Sequence, residues 1–472
     1  MRGGPEFVVK HLIVVFAVAA GAWFAPACPA ASPEPTEAAN APVPAASAPP
    51  APSEFAFTFS PGYGTIDHWP KDPAVFEDVV QKLAGVGFNT IHCVYRDWRV
   101  PICRRHGVKM MIDVLAWHDD ALTDIRRPEQ RAAVKTICEK VRGEPAVWGY
   151  NLWNEKLAFF GRPFGKDVND CLAMLREWDP THPVWVGTYR NSYPQAVKGN
   201  PGVFGYYDYH WQRGMIWHFA LLKWYQGLLN ERDAWLGRWI MVHDENRNLY
   251  TLNTSLAHGL KVVIWFIGGP WNARTGEWNP KHHLVRVGRQ VHHLYAELMR
   301  LGRPTAVYST PTTKTPDNKD KEPGVPPHCT PFPDDGWVQV TRGEAVVGLF
   351  AYRGGADALF VANHNAFAPQ RMVVQFKAQR SPSGPTNVPS PVSEAGLGTR
   401  SGTRGDSAGA RDSHRAQRVS DRLAVNLFDR QTGAWRPLTV TDGAVTFDLA
   451  PAAGELLRVS GRAGAGHPRG SG

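Results

Sequence analysis

Cysteine is scarce: six in 472 residues, at 28, 93, 103, 138, 171 and 329. So few, so scattered, exclude a dense disulfide framework and match no zinc-ligand spacing. Most fall in apolar periodic stretches, where a thiol behaves as a small core residue. A retained membrane helix is also poorly supported, because the apolar run over 12–24 has only thirteen residues, against about 20 needed to span a bilayer. Charged residues make up 20% of the chain and hydrophobic ones 43%, a globular balance that excludes a wholly disordered or collagen-like chain. The net charge of +9 includes +1 from 1–30, +3 from 380–422 (seven Arg against four acids) and +2 from 461–472. About +3 is left for the rest, with no basic stripe interleaved with aromatics, which argues against a nucleic-acid partner. What is plentiful is tryptophan, with 18 residues.

The N-terminus reads as an export signal over 1–28. Arg2 and Lys10 precede the apolar run, and Ala25-Pro-Ala27 with Cys28 follows it. Two fates are open: cleavage and secretion, or lipidation of Cys28 and membrane attachment through a loose lipobox. Localisation is therefore expected to be secreted, periplasmic or anchored to the cell envelope. An Ala/Pro-rich linker covers 29–54.

Over 55–302, strand-like runs alternate with amphipathic helical runs. Strands are expected at 55–60, 88–95, 108–115, 146–153, 183–187, 203–210, 238–243 and 260–267. Helices are expected near 73–86, 98–106, 128–142, 166–178, 214–230 and 283–301. Eight units in 248 residues match the roughly 250 of a (β/α)8 TIM barrel. The near-continuous apolar strands fit a sheet buried on both faces. A doubly wound sheet competes, but would carry a Gly-rich phosphate turn after its first strand, where this chain has Ser60-Pro-Gly-Tyr-Gly64. The fold class is α/β, with the barrel followed by a small antiparallel β-sandwich over 303–460. The sandwich is inferred from short alternating strands between turn signals. A Ser/Gly/Pro/Arg-rich insertion at 380–420 and a tail at 461–472 bury too little apolar surface to fold.

Barrel active sites lie at the C-terminal ends of the strands. Two carboxylates occupy such places: Glu155 after strand four, in Trp153-Asn154-Glu155, and Glu245 after strand seven, in His243-Asp244-Glu245. Ninety residues separate them, about three βα units, which puts them on facing sides of one cleft. Glycoside hydrolysis needs such a pair, one carboxylic acid to protonate the leaving oxygen and one carboxylate on the other face of the sugar. Tyr63, Tyr95, Trp117, His118, Tyr209, His210, Trp211, Trp265 and Trp271 cluster at expected strand ends, where aromatic faces could stack on sugar rings.

On Asn154-Glu155, Glu245 and Trp265, the 55–302 region resembles the clan A glycoside hydrolases, among them secreted bacterial enzymes with a small β domain after the barrel. The resemblance implies that Glu155 is the acid/base and Glu245 the nucleophile of a retaining double displacement on β-glycosidic bonds. It implies that Asn154 holds the hydroxyl beside the reacting carbon, and that Arg96, His210 and Trp265 line the sugar site, with Tyr95, Trp117 and His118 as further substrate contacts. The chain departs from the clan in His-Asp-Glu-Asn after strand seven, which lets Asp244 compete with Glu245, and in Lys156, where many relatives have Pro.

Each residue has a plainer reading. A Glu at a strand-to-helix junction also serves as a first-turn charge. Arg96 has Asp97 and Asp113 as structural partners, and Trp is commonly core. His282-His283 and His292-His293 lie ten residues apart, about 15 Å on one helix, too far for one metal ion, so a solvated face is expected and no metal or cofactor is called for. Asn253-Thr-Ser255 forms a glycosylation sequon. The rival function is a catalytically inactive barrel that binds glycans at the cell surface. The expected partner in either case is a carbohydrate, and the oligomeric state is left open.

Overall fold

A computed structural model describes residues 52–62, 67–117, 122–152, 164–188, 197–207, 216–266, 268–315, 319–377 and 423–461. The expected signal, most of the linker, the insertion and all but the first residue of the tail lie outside them.

Eight parallel strands close on themselves: β1 (Ala56–Ser60), β2 (Thr90–Cys93), β3 (Lys109–Asp113), β6 (Val147–Asn151), β7 (Val184–Thr188), β8 (Gly202–Tyr207), β9 (Trp235–Met241) and β10 (Leu260–Phe266). They pair in sequence order around the barrel, with β10 returning to β1 through the register Ala56↔Val262 to Ser60↔Phe266. Between β3 and β6, a small antiparallel pair, β4 (Leu115–Trp117) and β5 (Leu122–Asp124), rises from the strand end. The helices are α1 (Pro73–Gly85), α2 (Arg99–Arg105), α3 (Pro128–Val141), α4 (Phe164–Trp178), α5 (Ile216–Arg232), α6 (Glu245–Ala257), α7 (His283–His292) and α8 (Tyr295–Arg300). Helix α1 starts where the sequence signals it. Asp72 accepts from the Ala74 and Val75 amides, and Pro73 follows at the first helical position.

Part of the barrel interior is filled by one large ring. Trp185 on β7 is fully buried against Gly205 of β8 and Gly237 of β9. A Cβ at either glycine would lie within 2.4 Å of the indole, so the glycines make the space the ring occupies.

After the barrel come β11 (Leu301–Ser309), β12 (Thr312–Lys314), β13 (Asp320–Gly324), β14 (Val338–Arg342), β15 (Ala345–Tyr352), β16 (Ala356–Asn363), β17 (Gln370–Phe376), β18 (Ala424–Asp429), β19 (Ala434–Leu438), β20 (Ala444–Leu449) and β21 (Gly454–Ser460). A six-stranded sheet, β11-β15-β16-β21-β18-β19, faces a three-stranded sheet, β14-β17-β20. Val347, Leu349, Leu359, Val361, Met372 and Val374 are among the side chains that fill the core between them. The alternate residues of the larger sheet, Val346, Phe350, Phe360 and Ala362, belong instead to the barrel's core. Period-two alternation thus buries both faces of that sheet.

Helix α6 lies between barrel and sheet, and it was not among the expected helices. Asn248, Thr251, Asn253, Thr254 and Ser255 are all buried in it, so no polar face marks it as amphipathic. Their partners are internal. Thr254 Oγ1 and Ser255 Oγ donate to carbonyls one turn back, at 2.6 Å each, and Arg238 donates to Ser255 Oγ at 2.8 Å. Asn253 Nδ2 donates to the Ala452 carbonyl at 2.9 Å. The sequon asparagine is therefore core, out of reach of a glycosylating enzyme. Gly348 of β15 crosses the end of α6 so closely that a Cβ would meet the Ala257 carbonyl at 2.0 Å.

The five cysteines among the described residues are free thiols. Cys93 and Cys138 are buried, and burial pushes both up to about 12, far from the thiolate that reactivity needs.

Candidate functional site

Four consecutive barrel strands carry hydrogen-bonding side chains at their C-terminal ends: Ser60 on β1, His92 on β2, Asp113 on β3 and Asn151 on β6, all buried. They point into the lumen. The ring of Trp239 on β9, across the barrel from β2, meets the His92 imidazole edge-on at 5.3 Å and 84°. His92 Nδ1 is 3.2 Å from Ser60 Oγ, and Ser60 Oγ donates to the Gly62 carbonyl at 3.1 Å. His92 Nε2 is 2.9 Å from Asn151 Nδ2 and 3.3 Å from Asp113 Oδ2. With the Asn151 amide donating, the imidazole proton sits on Nδ1 and goes to Ser60. Trp69 Nε1 donates to the His92 carbonyl at 2.8 Å and stacks on Trp271 at 5.6 Å.

Beside this ring lies a buried ion cluster. Asp67 accepts from Arg96 Nε at 3.1 Å and pairs with both terminal nitrogens of Arg99 at 3.0 Å. Arg99 is fully buried and also donates to the Val94 carbonyl at 3.1 Å. Arg96 has Asp67 as a partner, beyond the two aspartates its sequence neighbourhood offered. Tyr95 is half-buried and donates to Asp97 at 2.5 Å. Burial and that aspartate hold its phenol well above the usual range.

Of the other expected site residues, Asn154, Glu155, His118 and His210 lie outside the described residues, as does the side chain of Trp117. Tyr63, Tyr209 and Trp211 do too. Trp265 is overturned as a sugar platform. It is 0% exposed and packs against Phe57 at 5.7 Å, which in turn reaches Tyr295 of α8 at 6.1 Å. That is the layer between strands and helices. The neighbouring Phe266 takes the lumen side, edge-on to Trp239 at 5.2 Å, and one residue of strand parity makes the difference.

Asp244 and Glu245 divide their roles clearly. Asp244 is the N-cap of α6, accepting from the Arg247 amide at 3.0 Å. Glu245 is the first residue of the helix, and Arg286 of α7 grips both its carboxylate oxygens, Nε to Oε1 at 3.2 Å and Nη2 to Oε2. The pair holds the Arg286 guanidinium above its ordinary value. Nearby, Asn248 links the His243 amide, at 3.0 Å, to His283, at 2.7 Å. His282 caps α7 by accepting from Leu284, and burial with the adjacent His283 and Arg286 lowers it to about 4. Both histidines thus have structural partners, where a solvated face was expected. Among the described residues no three His, Cys, Asp or Glu side chains converge as metal ligands.

Sequence reasoning missed Ser60, His92, Asp113 and Asn151. The signal was present as polar residues at alternate positions in apolar strands, but their meeting depends on the parallel pairing of β1, β2, β3 and β6.

No protein-family model and no curated protein matches the chain. Among solved structures it is similar to an α-amylase from Anoxybacillus, at 10% identity over 87% of this chain and 98% of that one, with a TM-score of 0.44. It is similar to an α-fucosidase from Thermotoga maritima, at 9% identity over 84% and 80%, TM-score 0.37. It is also similar to the catalytic domain of a xylanase from Talaromyces cellulolyticus, at 10% identity over 87% and 98%, TM-score 0.37.

Proposed function

We propose that the protein is a glycoside hydrolase working at the C-terminal mouth of the barrel. The observation that carries this reading is the buried ring of Ser60, His92, Asp113 and Asn151. It lies where barrel enzymes keep their chemistry, and the strand that ends on Asn151 runs on in sequence to Asn154-Glu155. Glu155 is the proton donor in this reading and Asn154 a substrate contact. Glu245, by its place after the seventh barrel strand, is the nucleophile of a double displacement on a β-glycoside. To act it would exchange Arg286 for the cleft. A second assignment is favoured by one specific contact: Asp113 is a lumenal carboxylate, 3.3 Å from His92, and would serve in place of Glu245. His210, Trp117 and His118 are proposed sugar contacts by sequence position alone. The apolar run at 12–24 supports action outside the cytoplasm.

A panel of α- and β-aryl glycosides separates the possibilities. Glu155→Gln should lower kcat/KM by about 10²–10⁴ on whichever glycoside the parent cleaves. Of Glu245→Gln and Asp113→Asn, the variant with the comparable loss identifies the second carboxylate. Equal rates for parent and Glu155→Gln would remove Glu155 from the reaction. Glycan binding without turnover of any substrate would favour the inactive, glycan-binding barrel.

A further inference from the structure

Helices α6 and α7 and the edge of the six-stranded sheet enclose a crevice of about 550 Å³, within the usual range of small-molecule sites. Asn253 and Gln290 line it from the helices, Arg436 and Glu455 from the six-stranded sheet, Arg430 from the turn after β18, and Asp448 from β20 of the three-stranded sheet. Arg430 is the centre of interest. Its side chain is only 10% exposed, and its buried Nε has no hydrogen-bond partner. Nη2 reaches Asn253 Oδ1 at 3.4 Å, and the guanidinium lies 5.7 Å over the Phe360 ring. Glu455 stays 3.8 Å from Nε, an ion pair too long for a hydrogen bond.

A buried donor without an acceptor is costly, and a ligand oxygen in the gap would remove that cost. The lining limits which ligand fits. An anion would meet Glu245, Asp448 and Glu455, a cation would meet Arg430 and Arg436, and no group of three metal-ligating side chains occurs among the described residues. A vicinal diol serves both signs together, its oxygens accepting from the guanidinium while its hydroxyls donate to the carboxylate. We propose that this crevice, on whose lining Glu245 is held by Arg286, is a site apart from the Ser60–His92–Asp113–Asn151 ring for a neutral polyhydroxylated ligand, one or two rings of a glycan chain held between barrel and sandwich. It is non-catalytic where Asp113 rather than Glu245 is the second carboxylate. Only the choice of a glycan as the diol rests on the hydrolase reading.

The experiment is calorimetric titration of the full-length Glu155→Gln chain with cellohexaose, xylohexaose and mannohexaose, with phosphate and glucuronate as anionic controls. Binding of at least one neutral hexasaccharide is expected, weakened about tenfold or more in both Arg430→Ala and Gln290→Trp. Gln290 is exposed at the edge of the crevice, so its replacement blocks entry without disturbing the buried Arg430, should Arg430→Ala fold poorly. Three results would overturn the proposal: no neutral binding, binding unchanged in Gln290→Trp, or binding of the anions alone. Failure of the hydrolase reading shows separately, as absence of turnover by the parent, which this titration does not measure.

Discussion

On one side of the barrel lumen β1, β2, β3 and β6 end in Ser60, His92, Asp113 and Asn151. On the other, β7, β8, β9 and β10 present Trp185, Gly205, Gly237, Trp239 and Phe266. Trp239 touches both halves, packing edge-on to His92 and to Phe266. A buried polar group has to be hydrogen-bonded, so the first half is held by directed contacts between neighbouring strands. The second half is held by volume: a ring on one strand and glycines on the next two. Directed hydrogen bonding and volume packing are thereby assigned to different strands of one continuous sheet.

The largest expected effect breaks the first half. Asp113→Asn keeps the shape and removes the charge, so kcat/KM on the identified glycoside should fall by about 10²–10⁴ if the polar side carries the reaction. A change under about threefold would make the ring structural and erase the contrast. On the packing side, Trp185→Ala should cost about 3–5 kcal/mol in urea unfolding while sparing kcat in the protein that stays folded. A loss of kcat with unchanged stability would reverse the two roles.

The packing half extends outward through α6, which the C-terminal sheet clamps. Two buried histidines there make the clamp sensitive to acid. Burial lowers His258 to about 4 and His364 to about 3, below the 6.5 of a free imidazole. Below pH 6.5 the unfolded chain binds protons the folded one refuses. Stability is therefore full above that pH and falls as pH drops toward 4, by about 3 kcal/mol for His258 alone. His258→Gln should flatten the fall measured by thermal unfolding between pH 7 and 4, and an identical slope would dismiss the histidine. Gly348→Ala forces a methyl onto the Ala257 carbonyl and should cost about 1–3 kcal/mol, whereas a neutral result would mean the sheet lies loosely on α6. Smallest of all, Asp244→Ala removes the α6 cap at about 1 kcal/mol. A far larger loss of activity than of stability would return Asp244 to the candidates for nucleophile.

Much of the architecture was legible from periodicity. The eight apolar runs appear as the eight barrel strands, and the two-residue alternation after 330 appears as paired sheets, because each pattern answers to local burial. Helix α6 was not legible, since burial on both faces removes the amphipathic stripe that reveals a helix. Trp265 was misassigned for a related reason: a strand buried on both faces has no polar alternation to tell lumen from helix layer. The carboxylates were legible as residue types after strands, but Glu245's grip on Arg286 joins residues 41 apart and has no signature in either segment.

Composition and pattern by themselves determined the class of fold, the order of its parts and the scarcity of reactive thiols, because these follow from period, length and burial along the chain. Pairing of the strands and closure of the barrel decided which side chains meet. Parallel pairing of β1, β2, β3 and β6 makes Ser60, His92, Asp113 and Asn151 neighbours, and only when β10 pairs with β1 does the lumen exist in which His92 faces Trp239. Docking of the sheet on α6 likewise decided that Arg430 would be buried with an idle donor, since that burial comes from surfaces nearly two hundred residues apart in sequence.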